Sequence, residues 1–236
     1  VAFVSKYLRA DQSLADVGCG DGRATRRYAQ CVDRCVGIER SDHLRAIALA
    51  EQEAQPIPNL SFRPGDVLDL AEHGESFDVV VTERVLINLP SWEHQQQAIE
   101  QIHGTLRPGG LYVMLENTED GDRALNDLRD RVGLQPIPQH WHNLFMDWDS
   151  LVLAITPGFE LIERRGFSVY YVLTRVYAQL FASFEGFGAQ ATADPVFEQL
   201  DPAARRLEEA LGGNVQFGEA PVVGPIQGIA LRKRTQ

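Results

Sequence analysis

The segment Leu14–Arg23, reading LADVGCGDGR, constrains the fold more than any other stretch of the chain. The apolar run Ser13–Val17 reads as a buried strand, and Gly18, Gly20 and Gly22 follow it at every second position. Glycines so spaced turn a chain sharply and let backbone N–H groups approach a ligand closely. Ala24–Gln30 continues as a helix, whose N-terminus offers partial positive charge to an anion or a carboxylate. A dinucleotide fingerprint would place its third glycine at position 23, where this chain has Arg23. The tighter spacing suits an amino-acid-bearing nucleoside better than a pyrophosphate. A plain structural turn is the alternative for the glycines taken alone.

The rest of the first half alternates short apolar runs with helical patterns. Arg34–Glu39 reads as a second strand. Ser41 is expected to cap a helix over Asp42–Glu53, which Pro56 and Pro58 end. Leu60–Arg63 and Phe77–Thr82 read as the third and fourth strands. Trp92–Leu106 has helical periodicity, Arg107-Pro108-Gly109-Gly110 reads as a turn, and Leu111–Glu116 as the fifth strand. Such alternation implies parallel strands joined by crossover helices, and near-continuous apolar strands imply a sheet covered on both faces. The expected fold is α/β, doubly wound and mostly parallel, with ligands at the carboxyl ends of the strands.

Beyond Glu116 the rhythm changes. Asp120–Val132 and Asp147–Ile155 read as helices on either side of a polar, aromatic stretch, residues 135–143. Phe159–Arg164 reads as a sixth strand, Tyr171–Phe184 as an aromatic helix, Glu185–Ala193 as a linker, Pro202–Leu211 as a charged helix and Ile226–Arg232 as the seventh strand. Residues 1–236 are expected to form a single domain, with segments 117–158 and 167–222 inserted as acceptor-binding lids.

With 236 residues, 44% of them hydrophobic, the chain is long enough for one sizeable core. No apolar run approaches the roughly 20 residues of a membrane-spanning helix. The net charge of −11 disfavours a nucleic-acid partner, because such a protein repels the phosphate backbone. The basic tail Arg232-Lys233-Arg234 reads as a solvated end. Cys19, Cys31 and Cys35 are an odd number and lack a second ligand pair, so reduced thiols and a cytoplasmic location are expected. The chain begins Val1-Ala2-Phe3, without Met or a cleavable signal pattern, so the native start is expected upstream.

Two acidic residues sharpen the glycine loop. Glu39 ends the second strand, where its carboxylate can accept from both hydroxyls of a ribose. Asp66, followed by Val67, comes just after the third strand, where a carboxylate can accept from an adenine amine. In combination the segments LADVGCGDGRATRRYA, CVGIER, RPGDVLDL, FDVVVTERVLINLP and LRPGGLYVMLEN resemble the class I S-adenosyl-L-methionine (SAM) dependent methyltransferases, over about Ser13–Asn117. The resemblance implies a seven-stranded Rossmann-like sheet with SAM as cofactor. It implies that Asp16, Gly18 and Gly20 line the methionine part, that Glu39 holds the ribose, and that Asp66 and Val67 hold the adenine. Cys19, Arg23, Arg40, Thr82 and Glu83 are the remaining expected cofactor-binding positions, with Thr82–Arg84 beside the reactive methyl. Many members have a His near the position of Asn88. The Asn/Asp-Pro-Pro-aromatic run of enzymes that methylate amino groups of DNA bases is absent after the fourth strand.

The acceptor is read from the second half. A hydroxyl nucleophile needs a base, and His is the usual one near neutral pH. His142 and His140 are the leading candidates, and Glu116 is a further one. The alternatives for the two histidines are packing beside Trp141, or metal binding with Asp147 or Glu116 as a third ligand. Two ligands do not specify a metal site, so no metal is expected. Tyr170, Tyr171 and Arg175 either line an acceptor pocket or pack a helix. The WHN cluster and the YYVLTRVY run are loosely similar to bacterial methyltransferases encoded with polysaccharide biosynthesis enzymes. That likeness implies O-methylation of a sugar hydroxyl or glycan terminus, with a homodimer or glycan-synthesis enzymes as partners. The competing readings are a methyltransferase for a phenolic or quinone metabolite and a non-catalytic SAM-binding subunit.

Overall fold

In the computed structural model, residues 1–70, 74–180, 195–211, 215 and 222–235 are described, with 195–199 by backbone alone. They carry β1 (Ser13–Val17), α2 (Arg23–Ala29) after a short α1 (Ala2–Ser5), β2 (Arg34–Glu39), α3 (Asp42–Ala54), β3 (Leu60–Pro64), β4 (Phe77–Glu83), α4 (Trp92–Thr105) and β5 (Leu106–Asn117). Then come α5 (Glu119–Arg131), α6 (Trp148–Ile155), β6 (Phe159–Gly166), α7 (Ser168–Tyr171), α8 (Pro195–Ala210) and β7 (Ile226–Lys233). The sheet has seven strands in the order β3-β2-β1-β4-β5-β7-β6, with β7 antiparallel. β1 pairs in parallel with β2 and β4, β2 with β3, and β4 with β5. The expected doubly wound, mostly parallel sheet is therefore the fold. The strand order reverses on either side of β1, and a crevice at the carboxyl ends of such strands is where an α/β sheet binds its ligand.

The local signals act as their chemistry dictates. Every residue of β1 is buried, as a central strand covered on both faces requires. The Ser41 hydroxyl accepts from the Leu44 N–H and caps α3, at 3.3 Å. Asp147 caps α6 in the same way, its Oδ2 accepting from the Ser150 N–H at 2.8 Å.

The chain divides into two compact units. The first comprises Val1–Glu116, His142–Arg164 and Gly228–Gln236. Its core includes Ala15, Val17, Ile38, Phe77, Val80, Tyr112 and Met114 from the strands, with Ile99 and Ile102 from α4. The second comprises Asn117–Trp141 and Arg165–Gln227. Its core is Leu125, Tyr171, Val176 and Val223.

Three boundaries differ from expectation. Arg107–Gly110 is not a turn ahead of a strand but lies within β5. Leu106 pairs with Phe77 and Leu111 with Val79, so the intervening residues bulge out of the ladder, with Gly109 at φ 75°. α8 starts at Pro195 rather than Pro202; proline suits a first helical position, and Pro202 lies inside the helix. The aromatic helix expected from Tyr171 begins at Ser168 and becomes π-helical over Val172–Tyr177. There the buried Arg129 guanidinium donates to the Arg175 carbonyl. The end of that helix and the Glu185–Ala193 linker lie outside the described residues.

Candidate cofactor site

The glycine loop joins β1 to α2 and its geometry depends on glycine. Gly18, Gly20 and Gly22 have φ of 70°, 58° and 78°, the left-handed region that side chains disfavour. The Gly18 and Cys19 amides both donate to the Ile38 carbonyl, at 2.8 and 3.2 Å, which ties the loop to the end of β2. A Cβ at Gly18 would lie 2.5 Å from Val85 Cγ2, so the residue after β4 packs directly on this glycine. A Cβ at Gly22 would lie 2.6 Å from Phe62 Cζ. A Cβ at Gly20 would meet nothing within 4 Å. Gly18 and Gly22 are thus held by neighbouring side chains, while Gly20 presents backbone to open space.

Three carboxylates stand at or just beyond the ends of β1, β2 and β3. Asp16 is buried at the end of β1, and its Oδ2 accepts from the Thr25 hydroxyl at 2.6 Å. Burial pushes its pKa up to about 7 against the lowering effect of the Thr25 bond, and the Glu83 and Glu39 charges push it the same way. Glu39 accepts from the Gly20 N–H at 2.8 Å through Oε2 and from the Ser41 N–H at 2.7 Å through Oε1. Each carboxylate oxygen has a further lone pair, so both can still accept from ribose hydroxyls. Asp66 pairs with Arg40 at 3.3 Å and accepts from the Leu68 N–H at 3.1 Å. Val67 is buried in the core of the first unit. The loop is open at Gly20, and carboxylate acceptors stand at the ends of β1 and β2 and just after β3, a set that could receive the hydroxyls and amine of a nucleoside.

The segment after β4 is held from β5. Glu116 is buried, and its carboxylate accepts from the amides of Val85 (2.9 Å), Leu86 (3.2 Å) and Ile87 (3.4 Å). It therefore anchors the 3-10 turn Leu86–Asn88. Burial raises its pKa to about 7, against the lowering effect of those amides and of Thr82. Thr82 is buried too, with its hydroxyl 2.9 Å from the Tyr112 hydroxyl. Glu83 and Arg84 are exposed at the end of β4. Arg84 has a φ of 55°, an uncommon conformation for a side-chain-bearing residue. Its carbonyl accepts from the Asn88 side-chain amide at 2.6 Å, so Asn88 fastens this bend.

The structure brings Asp16, Gly18, Cys19, Gly20, Glu39, Arg40 and Asp66 to the carboxyl ends of β1, β2 and β3. Arg23 begins α2 and pairs with Asp21 at 2.7 Å. Cys19, Cys31 and Cys35 are free thiols, and burial pushes the Cys19 thiol up, which makes it a poor nucleophile. His140 and His142 are both exposed, as is Trp141 at 96%. His142 belongs to the same unit as the glycine loop, and His140 to the other. Among the described residues no three of His, Cys, Asp and Glu come together to hold a metal ion, and Asp147 serves as a helix cap.

Sequence reasoning missed Thr25, Tyr28 and Val85. Thr25 and Tyr28 lie three residues apart on the buried face of α2, so a polar pair on an apolar helix face was the available signal. Among the described residues the buried Tyr28 hydroxyl has no hydrogen-bond partner, and Asp16 is its foremost charged neighbour.

Residues 14–110 match the protein family described as a methyltransferase domain. The uncharacterized methyltransferase YcgJ of Bacillus subtilis is 17% identical over 164 residues, covering 69% of this chain and 64% of that protein. The trans-aconitate 2-methyltransferase of Deinococcus radiodurans is 33% identical over 111 residues, covering 43% of this chain and 36% of that protein. The chain thus spans 64% of the length of the first of these curated relatives and 36% of the second. The crystal structure of YcgJ matches with a TM-score of 0.59 at 15% identity, over 100% of this chain and 97% of that one. The N-methyltransferase NodS from Bradyrhizobium japonicum, solved with S-adenosyl-L-homocysteine, matches with a TM-score of 0.53 at 16% identity, over 95% and 79%. These structural likenesses show the fold.

Proposed function

We propose, on the premise that residues 14–110 are a SAM-binding methyltransferase domain, that this chain transfers a methyl group from SAM to a small-molecule acceptor. The observation that carries the reading is the glycine loop, fastened to Glu39 through the Gly20 amide while Gly20 itself opens outward. In this reading the loop backbone and Asp16 receive the amino-acid part, Glu39 the ribose hydroxyls, and Asp66 with the Val67 backbone the adenine. Arg40 keeps Asp66 in place. Bound SAM supplies a methyl group on a sulfonium, already an electrophile with a good leaving group. The protein has to hold the acceptor in line and, for a hydroxyl, remove its proton.

The acceptor we propose is a hydroxylated small molecule, in its sharpest form a sugar hydroxyl or glycan terminus. Support comes from the exposed His140-Trp141-His142 run, in which an aromatic face and two titratable side chains are open to solvent. His142 is the proposed base. Glu116 is better cast as a positioning residue, since three backbone amides hold its carboxylate inside the protein. The lid role of segments 117–158 and 167–222 stands with this acceptor proposal. Incubation with methyl-labelled SAM and panels of sugars, phenols, quinones, carboxylic acids and amines tests the reading. Label transfer to a sugar hydroxyl supports it. Transfer only to an amine or a carboxylate retains the methyltransferase and removes the hydroxyl acceptor, and failure to bind SAM removes both.

A further inference from the structure

Thr25 lies on the first turn of α2, fully buried, where an apolar residue would ordinarily pack. A helical threonine commonly satisfies its hydroxyl on the carbonyl one turn back. Here that hydroxyl donates instead to Asp16 Oδ2 at 2.6 Å, across the glycine loop. We propose that Thr25 is a positioning residue for the cofactor, orienting the buried Asp16 carboxylate so that capture of a cationic ligand draws Asp16 into its ionised form. The inference rests on the methyltransferase reading and adds to it a residue and a proton.

The surroundings of Asp16 make its charge state responsive to a ligand. Glu83 from the end of β4 and Glu39 from the end of β2 both disfavour a further negative charge, and burial disfavours it more. The Thr25 bond is the largest influence in the other direction. The remaining titratable neighbours, the Cys19 and Cys35 thiols and the Tyr28 hydroxyl, are themselves pushed up by burial and by Asp16, so they stay neutral. With its pKa near 7, Asp16 is divided between acid and carboxylate at neutral pH. A ligand bearing an ammonium and a sulfonium favours the carboxylate. The acid proton then leaves to solvent, and no bond other than that O–H breaks.

Calorimetric titration with SAM from pH 6 to pH 9 tests this. Once corrected for the ligand's own ammonium, which loses its proton at about pH 8, wild-type affinity is expected to rise by up to about tenfold per pH unit below the transition, the limit for one linked proton, and to level off above it. Thr25→Val removes the hydroxyl at nearly constant volume. It is expected to move the transition to higher pH and weaken binding about tenfold at pH 7, with the gap closing to under about threefold at pH 9. Thr25→Ser keeps the hydroxyl and should behave as wild type, and Asp16→Asn should flatten the profile. A wild-type affinity flat across this range, or a Thr25→Val transition at the wild-type pH, overturns the inference. If Thr25→Val fails to fold, wild-type titrations at pH 7 in two buffers of different ionisation heat decide instead: proton release on binding supports the inference, and none overturns it. Absence of SAM binding at every pH would instead remove the methyltransferase reading itself.

Discussion

The amide of Gly20 donates to Oε2 of Glu39 at 2.8 Å, joining the tip of the glycine loop to the end of the neighbouring strand. The acidic residue at the end of β2 therefore shapes the glycine loop, in addition to the ribose-holding role proposed for it.

Replacing Glu39 removes both contributions. Glu39→Ala is expected to weaken SAM binding by about 1–3 kcal/mol, the scale of hydrogen bonds involving a charged group. Glu39→Gln, which keeps one acceptor oxygen, should lie between Ala and wild type. Isothermal titration with SAM measures both, and unchanged affinity in the alanine variant would remove Glu39 from the ribose site.

Gly18 and Gly20 share a left-handed φ but differ in their surroundings. Alanine at either position is strained by about 1–2 kcal/mol. Only at Gly18 does the new Cβ also collide with Val85. Gly18→Ala should therefore lower the melting temperature more than Gly20→Ala. Thermal unfolding of the two variants side by side checks the order.

Glu116 links stability to pH. Its folded pKa, about 7, stands above its ordinary 4.5. Its contribution is thus full below pH 4.5 and is lost as pH rises through 7. Glu116→Gln cannot satisfy three amides, and is expected to destabilise the protein by about 1–3 kcal/mol. Wild type loses stability at this site as pH rises and the glutamine variant does not, so the gap between them should narrow from pH 5 to pH 8. Urea unfolding at the two pH values reads it, and a widening gap would contradict the assignment.

If His142 is the base, His142→Ala should lower the methyl-transfer rate by about 10²–10⁴ and leave SAM affinity unchanged. Single-turnover kinetics with the identified acceptor separate the two quantities. A near-normal rate would return His142 to a structural role.

Much of the fold was legible because its signals are local. The strand Arg34–Glu39 and the Ser41 cap follow from residues adjacent in sequence, where periodicity and capping chemistry act within a few positions. The bulge in β5 was not legible in this way. Arg-Pro-Gly-Gly has turn composition, and only pairing with β4 carries it into a strand. The π-helical stretch likewise receives a hydrogen bond from Arg129, a residue distant in sequence.

The candidate site divides along the same line. The sequence by itself determined the cofactor class, because the glycine spacing, Asp16, Glu39 and Asp66 each follow or end a strand that announces itself. Tertiary structure decided what each carboxylate does. Glu116 looked available as a base at a strand end, yet three amides of the post-β4 segment hold it. Glu39 became a partner of the glycine loop, and Asp16 a partner of Thr25. Those pairings depend on how strands and helices register in space, and that register is set by packing across the whole sheet rather than by neighbouring residues.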